Sequence, residues 1–294
     1  MNYRHAFHAG NFADVVKHAV LARVLTYLHD KPTPFRVIDT HAGAGLYDLA
    51  GEEARRGGEW QGGIGRLLAD AAPGATAVSP IRIGAEADAL LAPYLDIVRA
   101  YNGGALTAYP GSPLIARALL RPQDRLVACE VEAGARDALI ESLRRDPQGR
   151  VVDLDGWTAL AAFVPPRERR GVVLIDPPYE QRDEFERLAE GFTAAFRKWP
   201  TGIYLIWYPL KDPAAAERLR RRIAALAAKT LCVELSVAAP DAPGLGAAGL
   251  MVVNPPWQLA RELGIVMPAL AGRLGRDGAG AFRLGPLPPA SRTR

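Results

Sequence analysis

The sequence predicts an α/β protein built on a doubly wound, mostly parallel sheet of seven strands with an inserted helical subdomain. Two observations predict this architecture. Short apolar runs alternate with helical patterns along most of the chain, and the interval between the first two strands is too long for one crossover helix. We therefore expect a core at 1–48 and 107–284, an insert at 49–106, and a mobile Pro-rich tail at 285–294.

Each element follows from a local pattern. Apolar runs predict strands at 35–38, 125–129, 150–152, 171–175, 202–207, 231–237 and 249–253. Helical periodicity predicts helices at 133–145, 184–198 and 214–229 in the core, and at 61–71 and 86–101 in the insert. No long helical pattern separates the last two strands, which indicates an antiparallel hairpin at the sheet edge with 240–246 as its loop.

Composition narrows the class of protein. The 294 residues are 49% hydrophobic and 23% charged, so the chain can bury a large core and is neither disordered nor fibrous. Its two cysteines, Cys129 and Cys232, lie in apolar runs and are predicted to be buried thiols. The chain lacks the long apolar stretch of a membrane span and the pattern of an export signal, so we expect a soluble cytoplasmic protein. The net charge of +4 permits a polyanionic partner without requiring one.

The most informative motif is the string Asp176-Pro177-Pro178-Tyr179, which directly follows the apolar run at 172–175. Ligands of open α/β sheets bind beyond the carboxyl ends of the strands, and a Pro-Pro pair can continue neither a strand nor a helix. The string is therefore predicted to be a loop that presents a carboxylate and an aromatic ring to a ligand. The alternative is an ordinary Pro-rich turn.

The ends of three other predicted strands supply a matching set of groups. Gly43 and Gly45 form a Gly-x-Gly turn after the first strand, and the helix expected to follow would offer free amide donors. Glu130 ends the second strand, where a carboxylate can hold both hydroxyls of a ribose. Asp155 and Gly156 follow the third strand and could contact an adenine edge. Any one of these could be a turn or a cap, whereas the ordered series indicates a nucleoside cofactor.

This order of strand ends resembles the class I S-adenosylmethionine methyltransferases, which have a Rossmann-like fold. The Asp-Pro-Pro-Tyr loop is similar to that of enzymes that methylate exocyclic amines of bases. In such a site Asp176 and the carbonyl group of Pro177 would accept the two amine hydrogens and turn the nitrogen lone pair toward the methyl group. Tyr179 would stack on a base that has been extruded from its stack. The chemistry requires neither a covalent cysteine intermediate nor a metal ion.

A second string of the same kind, Asn254-Pro255-Pro256-Trp257, follows the last predicted strand. Only one of the two strings should be catalytic. Chain order favours Asp176, because its strand neighbours the glycine turn, whereas Asn254 follows a strand at the sheet edge. We therefore expect Asn254 to have a structural role.

The amino-terminal segment is rich in functional side chains. Asn11 is predicted to cap a helix in which Asp14 and His18 pair one turn apart. Three interpretations of the segment stay open: a lid over cofactor and base, a structural cap, and a zinc site formed by His5, His8 and His18. The zinc interpretation has least support, because cysteine ligands are absent nearby.

Four strings together closely resemble the bacterial RlmJ family, which methylates an adenine N6 in 23S ribosomal RNA: 1–18, 39–45, 109–113 and 254–257. The resemblance implies S-adenosylmethionine as methyl donor and 23S ribosomal RNA, before full assembly of the ribosome, as substrate. It implies no metal, no membrane and no obligate protein partner. The implied cofactor residues are Lys17, His18, His41, Gly43, Ser112, Glu130, Asp155, Gly156 and Asp176. The implied catalytic residues are Asp176, Pro177 and Tyr179, and those near the substrate are Tyr3, Arg4, His5 and Tyr179.

Other functions fit parts of the pattern. Methylation of a guanine exocyclic amine uses a similar loop, and methylation of DNA adenine stays open because the insert could read a duplex. A protein-glutamine methyltransferase would more typically have Asn in the place of Asp176. A noncatalytic RNA-binding protein would tolerate loss of Asp176, which the cofactor pattern argues against.

Overall fold

A computed structural model describes residues 4–69, 79–80, 83–227 and 229–287. The helices of this part are α1 (Phe12–Leu28), α2 (Glu52–Gly57), α3 (Ala85–Ala100), α4 (Ser112–Ala118), α5 (Ala133–Ser142), α6 (Gly156–Phe163), α7 (Glu184–Lys198), α8 (Pro213–Leu226) and α9 (Leu259–Leu274). The strands are β1 (Arg36–Asp39), β2 (Leu46–Asp48), β3 (Leu68–Ala69), β4 (Ser79–Pro80), β5 (Ala108–Pro110), β6 (Arg125–Cys129), β7 (Gly149–Val152), β8 (Gly171–Ile175), β9 (Ile203–Pro209), β10 (Thr230–Ser236), β11 (Ala247–Val253) and β12 (Ala281–Pro286). Within these ranges, no helix combines the length and hydropathy needed to cross a bilayer.

The main sheet has eight strands in the order β12-β10-β11-β9-β8-β1-β6-β7. The five strands from β9 to β7 are parallel, and β11, β10 and β12 continue the sheet in antiparallel pairs. The prediction of a doubly wound, mostly parallel α/β sheet is therefore confirmed. All seven predicted strands are present, and the sheet contains one strand more.

The eighth strand, β12, was not predicted, and it changes the edge of the sheet. It pairs with β10 alone, so the predicted hairpin of β10 and β11 lies one strand inside the edge. Most side chains of β12 are exposed and Gly285 and Pro286 end it, so the segment lacks the apolar run of a buried strand. Leu287 is buried, and the tail predicted to begin at Gly285 therefore starts at least three residues too early.

The three helices predicted in the core are present, although α5 and α8 each end three residues before the predicted bound, whereas part of the insert is not helical as predicted. The helix predicted at 86–101 is α3. The described part of 61–71 instead forms two short 3-10 helices and β3, because Gly62, Gly63 and Gly65 interrupt any α-helical run. The helix expected directly after the Gly-x-Gly turn is also absent, since β2 follows Gly45. Its place against β1 and β6 is taken by α4, which begins only after the insert.

Helix α1 lies at the centre of the larger hydrophobic core. Almost all of its side chains are buried, and it packs against α3, α4, α9 and β11. Asn11 caps it as predicted, since its Oδ1 accepts from the backbone amides of Ala13 and Asp14 at 2.9 and 3.0 Å. Apolar residues of the insert, among them Leu91 and Tyr94, belong to the same core. A smaller core on the other face of the sheet contains residues of α6, α7 and α8.

We predict opposite stability effects for two glycine-to-alanine changes. Gly171 has φ of +153° beside its register partner Arg36, and a Cβ would overlap the Arg36 carbonyl oxygen, so Gly171→Ala should destabilise the protein by about 2–4 kcal/mol. Gly264 is exposed within α9 and has no neighbour within 4 Å of a built Cβ, so Gly264→Ala should stabilise by about 0.5–1 kcal/mol. Urea unfolding of both variants checks this. Equal effects would contradict the argument from backbone contact.

Candidate active site

The four strand ends singled out in the sequence meet at one edge of the sheet. Strands β8, β1, β6 and β7 are parallel neighbours, so Asp176, Asp39, Glu130 and Asp155 all follow or end strands on the same side. Asp176, Glu130 and Asp155 line a cavity of about 890 Å³, which residues of the amino-terminal segment also border. The cavity is large enough for a nucleoside-sized ligand.

The structure brings most of the predicted site residues to this cavity. Its wall includes the predicted cofactor residues and two of the predicted substrate residues: Lys17, His18, His41, Gly43, Ser112, Glu130, Asp155, Gly156, Asp176, Arg4 and His5. Pro177 is buried and lies off the wall, where Pro178 takes its place. Tyr179 borders a neighbouring cavity, and Tyr3 lies outside the described residues.

Asp176 is tied to helix α1 by Lys17. The Lys17 ammonium donates to Asp176 Oδ2 at 2.5 Å and pairs with Asp14 Oδ1 at 2.7 Å. Asp14 Oδ2 accepts in turn from the Gly10 amide at 2.9 Å and lies 3.0 Å from His5 Nε2. Burial by itself raises the pKa of Asp14, but the Lys17 ammonium and His5 outweigh it and hold this pKa well below its ordinary value. Asp14 therefore orients Lys17, which orients Asp176.

His18 has a different partner from the one predicted. Asp14 pairs with Lys17 and His5, whereas His18 Nδ1 lies 2.7 Å from the hydroxyl of Tyr109, which lies 2.9 Å from that of Tyr94. Burial lowers the pKa of His18 to about 3, so the imidazole is neutral. Its Nε2 is buried and has no hydrogen-bond partner among the described residues. Because His18 lines the cavity, a ligand bound there is the candidate partner of this nitrogen.

Asp39 and Ser112 form a second anchored polar pair at the edge of the sheet. The Ser112 hydroxyl donates to Asp39 Oδ2 at 2.6 Å, which leaves the serine oxygen free to accept another hydrogen bond. Burial raises the pKa of Asp39 to about 6 despite this bond. Asp39 Oδ1 is likewise buried without a partner in the described part of the chain.

The far end of the cavity is built from Glu130, His41 and Gly156. Both carboxylate oxygens of Glu130 accept backbone amides, from Gly43 at 2.8 Å and from Glu132 at 2.7 Å, so its orientation is fixed. Gly156 lies so close to His41 that a Cβ there would be 2.5 Å from the imidazole. Burial lowers the pKa of His41 to about 3, and Arg187 adds to the effect.

A second cavity of about 870 Å³ adjoins the first on the other side of the loop after β8. Both cavities are lined by Asp176 and Lys17, so the carboxylate stands on their common wall. Half-buried aromatic rings line the second cavity, because Tyr179 packs against Phe185 and Trp207 with centroid separations of 4.8 and 5.5 Å. The Tyr179 hydroxyl donates to the Trp207 carbonyl at 2.8 Å, which holds the ring in place.

The rival string, 254–257, lies at the opposite ends of the strands from Asp176. Strand β11 is antiparallel to β9, so Asn254 emerges beside the amino-terminal ends of the parallel strands. The Asn254 amide group donates to the carbonyls of Pro200 and Gly202 at 2.8 and 2.7 Å, and Trp257 is 82% exposed. Asn254 therefore links a turn to a strand end, far from the cavity that Asp176 borders.

The three amino-terminal histidines point to different partners. His5 contacts Asp14, His8 Nδ1 lies 2.9 Å from Glu59 Oε1, and His18 contacts Tyr109. Among the described residues, no group of three or more His, Cys, Asp or Glu side chains could hold a metal ion. This arrangement disfavours the zinc interpretation. The ion pair of Arg4 with Glu53 instead connects the segment to α2 across the mouth of the cavity.

Both cysteines are buried and unpaired, as predicted. Cys129 lines the first cavity, and burial raises its pKa to about 12. It is therefore a protonated thiol at neutral pH and a poor nucleophile.

Sequence reasoning missed several residues that shape the site. Asp14 was assigned to His18, whereas its pairing with Lys17 could have been recognised from their spacing of three residues, which places both on one helix face. Asp39 ends a buried strand, a position that by itself indicates function or an ion pair. Trp157 and Arg187 on the cavity wall contact each other, with the guanidinium 5.5 Å from the ring centroid, and no local pattern indicates this pairing.

The buried histidines predict loss of stability in mild acid. Unfolded His18 and His41 bind protons below about pH 6.5 and the folded residues do not, so stability should fall as pH decreases from there toward 3, by about 1.4 kcal/mol per pH unit for each. Between pH 6 and 3.8, Asp39 offsets the loss of stability due to one of the histidines. Its carboxyl group is protonated in the folded state but not in the unfolded state over this range. Urea unfolding at a series of pH values should show a smaller slope for His41→Gln. An unchanged slope would contradict the neutral state of His41.

Comparison with known proteins finds similarity over nearly the whole chain. A family model described as RsmJ, ribosomal RNA large subunit methyltransferase D, RlmJ, matches residues 32–285. The ribosomal RNA large subunit methyltransferase J of Escherichia coli (strain K12) is 39% identical over 287 residues, 95% of this chain and 96% of the relative. That of Haemophilus influenzae is 36% identical over 96% of this chain and 97% of the relative. The solved structure of protein LPL1258 from Legionella pneumophila has a TM-score of 0.83 at 30% identity, covering 95% of this chain and 98% of that one.

Proposed function

The chain belongs to the RlmJ family of ribosomal RNA large subunit methyltransferases, and from this premise we propose that it transfers a methyl group from S-adenosylmethionine to the N6 amine of an adenine in 23S ribosomal RNA. One observation carries the proposal most strongly. Asp176 stands on the common wall of two adjoining cavities, one lined by the groups expected for a nucleoside cofactor and the other by aromatic rings suited to a base. Donor and acceptor would thus meet at this carboxylate.

The first cavity fits S-adenosylmethionine in its polar groups. Glu130 would hold the ribose hydroxyls, since each of its carboxylate oxygens has one acceptor position left beyond its backbone bond. Asp155 and Gly156 would contact the adenine edge, and His41 would border it. The methionyl end would take the unpartnered His18 Nε2 and the free acceptor position of Ser112. When bound, the cofactor supplies an electrophilic methyl group.

Asp176 would orient the acceptor nitrogen. The exocyclic nitrogen of adenine is a weak nucleophile, because its lone pair is delocalised into the ring. Lys17 holds Asp176 Oδ2, so Oδ1 is the oxygen left to accept a hydrogen from the amine. The carbonyl group of Pro177 would accept the second hydrogen, which directs the lone pair toward the methyl carbon. As the new bond forms, the nitrogen loses one proton, for which Asp176 is the proposed acceptor.

The second cavity would receive the target base. Tyr179, fixed by Phe185 and Trp207, offers a rigid aromatic surface beside Asp176 for an adenine extruded from its helix or loop. Arg4 and His5 border the first cavity, and Tyr3 is proposed to reach the base from the same segment. The segment would act as a lid held by the pairs of Arg4 with Glu53 and of His8 with Glu59.

Nucleoside analysis tests the proposed reaction. The purified protein would be incubated with radiolabelled S-adenosylmethionine and unmodified large-subunit ribosomal RNA, and the labelled nucleoside identified after digestion. N6-methyladenosine is the expected product, and N2-methylguanosine would establish guanine methylation instead. Parallel reactions with duplex DNA and with assembled large subunits would show whether DNA is the substrate and whether naked RNA is preferred. Absence of label in every nucleic acid would refute the proposal.

A further inference from the structure

The wall of the second cavity carries three cations that the proposed chemistry does not use. Arg182 lies in the loop after β8, Lys211 precedes α8, and Arg218 lies on α8; all three are exposed and border the cavity. None has a carboxylate within 4 Å in the part of the chain that the structure describes. They therefore differ from most arginines that the structure describes, which form ion pairs or donate to carbonyls.

The carboxylates of the same wall are already engaged. Glu59 accepts from His8 and from the Asn11 amide group, both at 2.9 Å. Asp212 caps α8 and accepts from two backbone amides at 3.0 and 2.9 Å. Glu186 pairs with Arg222. The wall is balanced in formal charge, with five acidic and five basic side chains, but the carboxylates are engaged whereas Arg182, Lys211 and Arg218 have no acidic partner among the described residues.

The arginines of helix α8 have different partners. Arg220 is buried and binds Glu217 and Glu234, and Arg221 binds Glu217 at 2.8 Å on the exposed side. Of the arginines on α8, Arg218 alone borders the cavity without an acidic partner in the described part of the chain, while the other three are held by carboxylates.

We propose that Arg182, Lys211 and Arg218 bind backbone phosphates of the RNA nucleotides that flank the target base. This inference rests on the proposed function and locates its substrate path. A base stacked on Tyr179 beside Asp176 leaves its sugar-phosphate backbone at the mouth of the second cavity, where these cations stand. Arginine pairs with phosphate through two parallel hydrogen bonds, whereas a solvated lysine acts as a point charge. An extended polyanion can reach all three side chains at once.

The test compares single alanine variants and the triple variant Arg182→Ala, Lys211→Ala, Arg218→Ala with the control Arg221→Ala. The control residue lies on the same helix, is 77% exposed and borders neither cavity. Fluorescence anisotropy would measure affinity for a large-subunit ribosomal RNA fragment over a range of KCl concentrations. Each lost contact to single-stranded RNA should reduce the slope of log Kd against log salt by about 0.7, and the triple variant by about 2.

Kinetic and binding controls separate this inference from the proposed function. The triple variant should raise KM for RNA more than it lowers kcat and should bind S-adenosylmethionine like the native protein, while Arg221→Ala matches the native protein throughout. If the triple variant had the same salt slope and the same KM for RNA as the native protein, the inference would be overturned, but the proposed methylation would not be affected. Native protein that binds RNA but methylates none would refute the function, and the slope would still decide the inference. Binding of polyglutamate would be measured in the same way. If the triple variant lost polyglutamate binding but kept RNA binding, the surface would be assigned to an acidic protein instead.

Discussion

Replacing Asp176 with alanine is expected to lower the rate of methyl transfer by about 10²- to 10⁴-fold, the usual contribution of a positioned acid or base. The variant loses the proposed acceptor of the amine hydrogen and of the released proton. Asp176→Asn should be impaired as well, because its single amide oxygen can accept from Lys17 or from the substrate amine but not from both. Release of label into N6-methyladenosine under single-turnover conditions would measure the effect.

Asn254→Ala is the matched control, because the second Pro-Pro string lies at the opposite edge of the sheet. The change removes two hydrogen bonds and places alanine at φ of +52°, so it should destabilise the protein while methyl transfer by the folded fraction continues. Binding of S-adenosylmethionine by both variants would show that the site is folded. Inactivity of Asn254→Ala together with an active Asp176→Ala would reverse the assignment of the two strings.

Replacing Lys17 with methionine is expected to destabilise the protein by about 3–5 kcal/mol, the usual cost of removing one partner from a buried ion pair. The Lys17 side chain is 5% exposed, and the carboxylates of Asp14 and Asp176 that flank it are 2% and 15% exposed. Burial by itself would lower the pKa of Lys17, yet the two carboxylates raise it above its ordinary value. Methionine preserves the volume but leaves Asp14 without its cation.

Urea unfolding measures this effect, with Lys31→Met as a control at an exposed lysine, for which a change within about 0.5 kcal/mol is expected.

The pH dependence of the stability of Lys17→Met provides a second check. Lys17 holds the pKa of Asp14 below its ordinary value, so stability from this pair is present above pH 3.8 and lost as pH falls through the folded pKa. In Lys17→Met, burial raises that pKa, so the deficit relative to the native protein should shrink in acid. A loss below about 1 kcal/mol would contradict a cooperative Asp14, Lys17 and Asp176 unit.

The sequence was most informative where local pattern and function coincide. Apolar runs at 172–175 and 125–129 located strands, and the polar residues that end them lie on the cavity because parallel neighbours end at the same edge. It was least informative where local propensity was weak. Strand β12 has mostly exposed side chains and is extended because it pairs with β10. In the insert, Gly62, Gly63 and Gly65 interrupt the helix that was predicted there.

The sequence by itself determined the fold class, the order of strand ends and the groups that each end presents, because strand and helix periodicity act over a few residues. Only the tertiary structure decided which distant groups meet. Lys17 reaches Asp176 across 159 positions and His18 reaches Tyr109 across 91, contacts that depend on how α1 packs into the core. It also decided which arginine of α8 stands uncommitted beside the second cavity, since burial and nearby carboxylates, not residue type, set the partner of each charge.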